Sequence, residues 1–278
     1  NVAVGSYSLD AITTGYANVG IGYYAGSDLT TGIRNVIIGQ NAGLYETNNF
    51  NTYMGYEAGR GSSSGNASNT YNVGIGYQAL KSVRTATQNV AVGHGAGASM
   101  DEGDYNVLLG PAAGTAITDG ASNVVIGRAA GETMTTTVQT VLIGASAGND
   151  INSTDADGTI LIGSQAGKYI NSGIGNTAVG FETLTNEDDG DYSTAVGYQA
   201  LSLQTGTSGE VGNSGFGYQA GYAMTTGTYD SLFGYKAGRN LNGGYRNTIL
   251  GARALENSDE GHTLVAIGFD AMRFTEAG

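Results

Sequence analysis

The side chains of this chain that could do chemistry lie mainly in short acidic stretches. Four of these recur along the sequence: Asp101-Glu102-Gly103-Asp104, Asp155-Ala156-Asp157-Gly158, Glu187-Asp188-Asp189-Gly190-Asp191 and Asp259-Glu260-Gly261. Oxygen ligands of this kind bind calcium. None of the stretches has the EF-hand spacing, and none has the Gly-Gly-x-Gly-x-Asp repeat of calcium-binding rolls. We therefore interpret them as solvated turns, with calcium binding as the alternative.

No set of residues forms a catalytic constellation. His94 and His262 are roughly ten repeat units apart, so they cannot meet within one chain for acid–base or metal chemistry. Runs such as Gly20-Ile21-Gly22 lack the strand-then-helix context of a nucleotide fingerprint. Carboxylates about 5 to 9.5 Å apart could cleave a glycan, and acidic turns of adjacent units allow that spacing, but nothing selects one pair. We expect no catalytic, cofactor or metal site, and no enzyme.

Composition narrows the possible partners. The chain has 11 basic and 24 acidic residues and a net charge of -13, which argues against nucleic acid and anionic membrane surfaces. It has no cysteine, and no apolar run approaches the length needed to enter a bilayer. Its 48 glycines come with a single proline, which excludes collagen, and 40% apolar residues favour a packed core.

A short repeated unit organises the whole sequence. Sixteen copies begin at positions 1, 18, 35, 51, 72, 89, 106, 123, 140, 159, 176, 193, 213, 230, 247 and 264, and most of the intervals are equal to the one from Asn18 to Asn35. Helical repeats and propeller blades need about twice that length. A short strand, a glycine turn, a second extended segment and a Thr-Thr-Gly return turn fit one coil of a β-solenoid. The sequence therefore predicts an all-β parallel β-roll of about 16 coils forming one domain, residues 1–278.

The strand pattern predicts which positions of the coil face inward. Positions two and four of a strand point to one side and position three to the other. Position four is apolar in every copy, so we predict that it fills the core with the small residue at position eight: Val4, Ile21, Ile38, Ile75, Val92, Leu109, Ile126, Ile143, Ile162, Val179, Val196 and Ile267. Position three is also often apolar and is predicted to meet other copies of the chain: Ile37, Leu108, Val125, Leu142, Leu161, Leu232 and Ile249. Homo-oligomerisation follows from two apolar faces, but the number of chains does not.

Three further positions carry a recognisable pattern. Glycine occupies position five in all copies, and we expect a positive φ or a close backbone approach there, as at Gly5, Gly22, Gly39, Gly127, Gly144 and Gly268. Asn opens eleven units, either as a hydrogen-bonded ladder or as a turn former. An aromatic ring follows the glycine in half of the units, which favours packing over sugar binding.

Three longer units insert residues near 59–68, 152–158 and 204–210, either as slack loops or as contact loops.

Three segments carry a resemblance to known proteins: Asn-Val-Gly-Ile-Gly-Tyr (18–23), Asn-Thr-Ala-Val-Gly-Phe (176–181) and Ser-Thr-Ala-Val-Gly-Tyr-Gln-Ala-Leu (193–201). The unit resembles the YadA-like head repeat of trimeric autotransporter adhesins, and it is similar to repeats in viral and phage tail fibres. The adhesin repeat is slightly shorter than the unit of this chain. The resemblance covers the whole chain and implies a parallel homotrimer.

The resemblance also implies a function. We expect a structural and adhesive segment of an extracellular viral tail fibre, either its shaft or its receptor-binding region, attaching to a host glycan or protein receptor. A bacterial trimeric surface adhesin head is the alternative; an ice-binding solenoid and a glycan-cleaving tailspike fit less well, because Thr pairs are missing from most coils and no carboxylate pair is selected. Neither end of the chain shows an obvious cap, so we expect a segment of a longer fibre.

Overall fold

The repeat unit folds as one coil of a parallel β-solenoid. The computed structural model describes residues 1–62, 68–151, 156–206 and 209–274, and the chain divides into two units, Asn1–Gln139 and Thr140–Gly278. Within those ranges the structure is all β, with no α-helix. The predicted solenoid fold and the predicted length of its repeat are thus confirmed.

The first unit contains a parallel sheet with one three-residue strand per coil. The strands are β1 (Val2–Val4), β2 (Val19–Ile21), β3 (Val36–Ile38), β4 (Thr52–Met54), β5 (Val73–Ile75), β6 (Val90–Val92), β7 (Val107–Leu109) and β8 (Val124–Ile126). Each strand pairs in register with the equivalent residues of the next coil, so that Val19 lies opposite Val36 and Ile21 opposite Ile38. The repeat in sequence is therefore also the register of the sheet.

The second unit continues the same pattern and adds short strands in its return turns. Its main strands are β9 (Val141–Ile143), β10 (Ile160–Ile162), β11 (Thr177–Val179), β13 (Thr194–Val196), β15 (Ser214–Phe216), β16 (Ser231–Phe233), β18 (Thr248–Leu250) and β20 (Val265–Ile267). Two small parallel pairs join β12 (Gly190–Asp191) to β14 (Gly209–Glu210) and β17 (Gly243–Tyr245) to β19 (Glu260–His262).

Each strand ends at the glycine in position five. The predicted turn glycines all have a positive φ, between 124° at Gly5 and Gly268 and 140° at Gly127. Space is also limiting, because a Cβ on Gly22 would lie 2.6 Å from the carbonyl oxygen of Gly39 in the next coil. Both expected reasons for glycine therefore apply at this position.

The inward face of the strand is the reverse of the sequence prediction. The residues assigned to an oligomer face at position three, namely Ile37, Leu108, Val125, Leu142, Leu161, Leu232 and Ile249, are all fully buried inside the coil. The residues assigned to the core at position four point outward: Val4, Ile21, Val92 and Ile267 are exposed, and Ile38, Ile75, Leu109, Ile126, Ile143, Ile162, Val179 and Val196 are half-buried. The small residue at position eight lies inside, so position three, not position four, shares its cavity.

The interior is filled by complementary sizes at positions three and nine. Where position nine is Leu, position three of the next coil is Gly or Ala, as in the pair Leu9 and Gly20 and the pair Leu80 and Ala91. A Cβ on Gly20 would lie 2.6 Å from Cγ of Leu9. Where position nine is Gly, a large residue occupies the space: a Cβ on Gly97 would lie 2.7 Å from Cδ1 of Leu108. A leucine at position nine is therefore always followed by a small residue at position three of the next coil.

A buried ladder of asparagines joins successive coils. The Oδ1 atom of Asn18 accepts from the backbone N–H of Asn35 at 2.9 Å, and Nδ2 of Asn18 donates to the carbonyl of Gly32 in its own return turn at 2.8 Å. The same two bonds recur at Asn72, Asn89 and Asn106. Of the two roles open for Asn at position one, the ladder is therefore the one formed.

Candidate functional site

An exposed apolar stripe runs along the outer face of the strands in each unit. We define the outer stripe as positions two, four and six of the coils. In the first unit it includes Val4, Ile21 and Met54, exposed by 56%, 37% and 38%, and in the second unit Phe233 and Leu250, exposed by 39% and 49%. Side chains of this size lie in water only because the coil interior is already filled by positions three, eight and nine.

The outer stripe is almost free of charge. Across all sixteen coils its three positions hold one charged residue, Arg128, although the chain has 11 basic and 24 acidic residues. Depletion of charge together with aromatic enrichment is characteristic of the buried centre of protein interfaces. A face of this composition is unusual on a soluble protein unless a partner covers it.

Aromatic rings at position six stack on one another along the coils. In the first unit Tyr56 stacks on Tyr77 with ring centroids 5.2 Å apart, and Tyr77 stacks on His94 at 5.1 Å. The second unit has a longer series, Phe181, Tyr198, Tyr218 and Tyr235, with centroid spacings of 5.3, 5.4 and 5.2 Å. Within each series the faces of the inner rings are covered by their neighbours. Sugars stack on ring faces, so this arrangement favours packing.

The acidic turns are held by local contacts. Asp101 forms a two-point ion pair with Arg84, at 2.9 and 3.0 Å, and Asp104 accepts from the backbone N–H of Thr87 at 2.6 Å. In the second unit Asp191 accepts from the N–H of Ile174 at 2.7 Å. In the ranges that the structure describes, no group of three or more His, Asp or Glu could hold a metal ion. Asp155 lies outside those ranges.

Each of the two histidines stacks on a tyrosine of its own unit. His94 stacks on Tyr77 in the first unit, and His262 stacks on Tyr245 in the second, with centroids 4.3 Å apart. Each imidazole is therefore part of an aromatic stack, and the charge of His262 also lowers the pKa of Asp230, against the larger effect of burial.

Two buried glutamates at position twelve were not anticipated from sequence. Glu46 accepts from the N–H of Asn48 at 2.6 Å and from Nδ2 of Asn51 at 3.2 Å, and burial raises its pKa from 4.5 to about 7. Oε1 of Glu187 accepts from the N–H of Gly190 at 2.8 Å and from that of Gly206 at 2.9 Å.

Each of these glutamates precedes a coil that carries an insertion. Position twelve is aliphatic and buried in most coils, as at Leu29, Ile117 and Ile170. A carboxylate there satisfies backbone and amide donors that the altered return turn leaves inside. The sequence feature that could have identified these glutamates is a polar residue at an otherwise apolar position, directly before an insertion.

The predicted insertion loops are described only in part. Residues 63–67, 152–155 and 207–208, which belong to the three predicted insertions, lie outside the described residues. The described part of the third insertion includes β14, whose pairing with β12 fixes Gly209 opposite Gly190.

No helix in the described parts of the chain has the length and apolar character needed to cross a membrane. No family model, no curated protein and no solved structure matches the chain.

Proposed function

We propose that this chain is a structural and adhesive fibre segment that assembles with copies of itself through the outer stripe. The location would be extracellular, as the shaft or receptor-binding region of a viral tail fibre, with a host surface glycan or protein as receptor. The observation that carries the proposal is the outer stripe, which is exposed, apolar and nearly uncharged in both units. The repeat resemblance favours three parallel copies.

Electrostatics supports the outer stripe as the contact between copies. Each chain has a net charge of -13, so two copies repel one another over most of their surfaces. Because acidic residues outnumber basic ones by 24 to 11, many carboxylates in a close self-contact would face like charges or be buried without a partner, and both cost free energy. The outer stripe avoids both problems, and its covering would remove Val, Ile and Phe side chains from water.

Attachment by such a fibre would depend on the fixed register of its coils and on the number of copies in the assembly. Consecutive coils are joined by backbone pairing and by the asparagine ladder, so each coil holds its neighbours in fixed register. Copies in parallel present the same surface side by side, which raises avidity even when each receptor contact is weak. This role needs no catalytic residue.

Sedimentation equilibrium of the unmodified chain tests the proposal. We expect an oligomer at micromolar concentration, with three chains as the expected number, and binding of that oligomer to host cells. A stable monomer over the same concentration range would overturn the proposed self-contact. An oligomer that binds no cell surface would restrict the proposal to a structural shaft.

A further inference from the structure

A polar groove crosses several coils of the first unit, and none of its lining residues belongs to the outer stripe. It has a volume of about 490 Å³ and is lined by side chains at positions ten to thirteen. Its floor is made by small residues at position eleven of three successive coils, Gly61, Ser82 and Ser99. In the coil before them, Tyr45 fills the same position and closes one end. Small side chains at position eleven therefore leave the space that forms the groove.

The walls of the groove carry fixed hydrogen-bonding groups. Along one side Arg84 and Asp101 are joined at 2.9 and 3.0 Å, which holds both planar groups in place. At the closed end the guanidinium of Arg60 lies 5.6 Å from the centre of the Tyr45 ring. Thr118 adds a hydroxyl beside Asp101. The lining thus offers guanidinium donors, a carboxylate acceptor and hydroxyl groups from several coils.

The charged residues that line the groove, Arg60, Arg84 and Asp101, are neutralised only when ion-pair partners outside the lining are counted. Arg84 pairs with Asp101 and Glu102, while Arg60 and Lys81 lie 3.9 and 3.4 Å from the carboxylate of Glu57. Together, the lining residues and their ion-pair partners contain three cations and three carboxylates, so this cluster offers no net positive charge to attract an anion against the net charge of -13. The lining is also too polar for a purely apolar ligand.

We infer that this groove binds a neutral saccharide. A sugar presents adjacent hydroxyls that both donate and accept, which matches serine and threonine hydroxyls and the outer edges of an arginine–aspartate pair. The volume lies within the usual range of ligand sites, about 300–1,000 Å³. The inference deepens the proposed function, on which it rests for the idea of surface attachment, by naming the ligand class and its place. Since the groove and the outer stripe share no residues, self-assembly through the stripe would not use the residues that line the groove.

The test fills the floor of the groove without disturbing the coil. Ser82→Tyr and Ser99→Tyr place at position eleven the residue found there naturally at Tyr45 and Tyr169, so both variants should fold. Ala223→Tyr makes the same change at position eleven of a coil in the second unit and serves as the matched control. The unmodified chain is first applied to an array of neutral and acidic oligosaccharides, and the strongest neutral ligand is then titrated by calorimetry.

We expect a neutral oligosaccharide to bind, with at least tenfold weaker affinity in S82Y and S99Y and an unchanged affinity in A223Y. An array without neutral ligands, binding only of acidic sugars, or equal weakening by A223Y would overturn the inference. Circular dichroism of each variant separates a lost site from a lost fold. An oligomer that binds no sugar contradicts the groove alone, whereas a monomer that binds sugar through the groove contradicts the proposed self-contact alone.

Discussion

The carboxamide at position one acts in two directions at once. Its oxygen accepts from the next coil and its nitrogen donates within its own coil, as Asn247 shows with the N–H of Leu264 at 2.9 Å and the carbonyl of Gly261 at 2.8 Å. An aspartate can do only the first when ionised, because it has no donor. Asp230 stands in the ladder and shows this defect: Oδ1 accepts two bonds from Asn247, whereas buried Oδ2 has no partner.

Asp230→Asn should therefore stabilise the protein at neutral and alkaline pH. Burial raises the pKa of Asp230 from 3.8 to about 6. The protonated form is favoured in the folded state, so its stabilising contribution is complete below about pH 4 and is lost as the pH rises through about 6. The variant supplies the missing donor to the return turn, and we expect a gain of about 1–3 kcal/mol at pH 8. Urea unfolding at pH 5 and pH 8 measures the difference.

The exposed carboxylate of Asp259 provides the control for that experiment. Asp259→Asn makes the same chemical change outside the buried ladder and should leave the unfolding curves at both pH values unchanged. Equal stability of D230N and the unmodified protein at pH 8 would show that the unpartnered Oδ2 costs nothing.

At the level of the coil, interior volume is shared between neighbours. Gly97 faces Leu108 of the next coil, and a Cβ on Gly97 would lie 2.7 Å from Cδ1 of that leucine. Gly97→Leu should therefore destabilise the protein by overpacking, typically by about 1–3 kcal/mol. Leu108→Ala should cost about 2–5 kcal/mol through the cavity it leaves.

The double variant Gly97→Leu with Leu108→Ala should recover most of the loss. It reproduces the natural pair Leu80 and Ala91 one coil earlier, and the backbone can accept it because Leu80 and Gly97 have φ values of 52° and 57°. A double-mutant cycle by thermal unfolding measures the coupling. Additive losses would contradict the complementary packing of positions three and nine.

The repeat alone was enough to predict coil length, strand position and turn glycine, since each is a local property of a single unit. Which strand positions point into the coil could not be predicted in the same way. Position four is regular, and its regularity indicated a core, yet the interior lies at position three, where Gly20 and Ile37 can alternate because position nine compensates. Likewise Glu46 and Glu187 each accept a hydrogen bond within their own turn and another from the next coil, from Asn51 and from Gly206, and a local pattern does not contain the second bond.

For the whole molecule, adjacent residues of one strand should separate folding from assembly. Leu142 is fully buried, whereas Ile143 lies half-buried on the outer stripe. Leu142→Asp should abolish or strongly reduce folding, because it places an unpaired charge in the coil interior. Ile143→Asp should keep the circular dichroism spectrum and sediment as a smaller species. The opposite assignment, with I143D unfolded and L142D folded, would contradict the orientation described above.

Salt should strengthen the proposed assembly. Copies with a net charge of -13 repel over long distances, and raising the salt from about 0.01 to about 1 M shortens the screening length from about 30 to about 3 Å. We expect the dissociation constant from sedimentation to fall as salt rises. An interface held by ion pairs would weaken instead, and that result would exclude the uncharged outer stripe as the contact.

The paired sizes at positions three and nine also bear on how such a chain can change its length over generations. Deletion of residues 89–105 would place Leu80 against Leu108 of the following coil, so that two large side chains would share space that holds one. Deletion of residues 106–122 would place Gly97 against Val125, and the sequence already contains the same pair of residue types at Gly114 and Val125. Deletion or duplication of a coil should therefore be tolerated at some places in the sequence and not at others. The tolerated junctions should be those at which the side chains at position nine and at position three of the next coil are not both large.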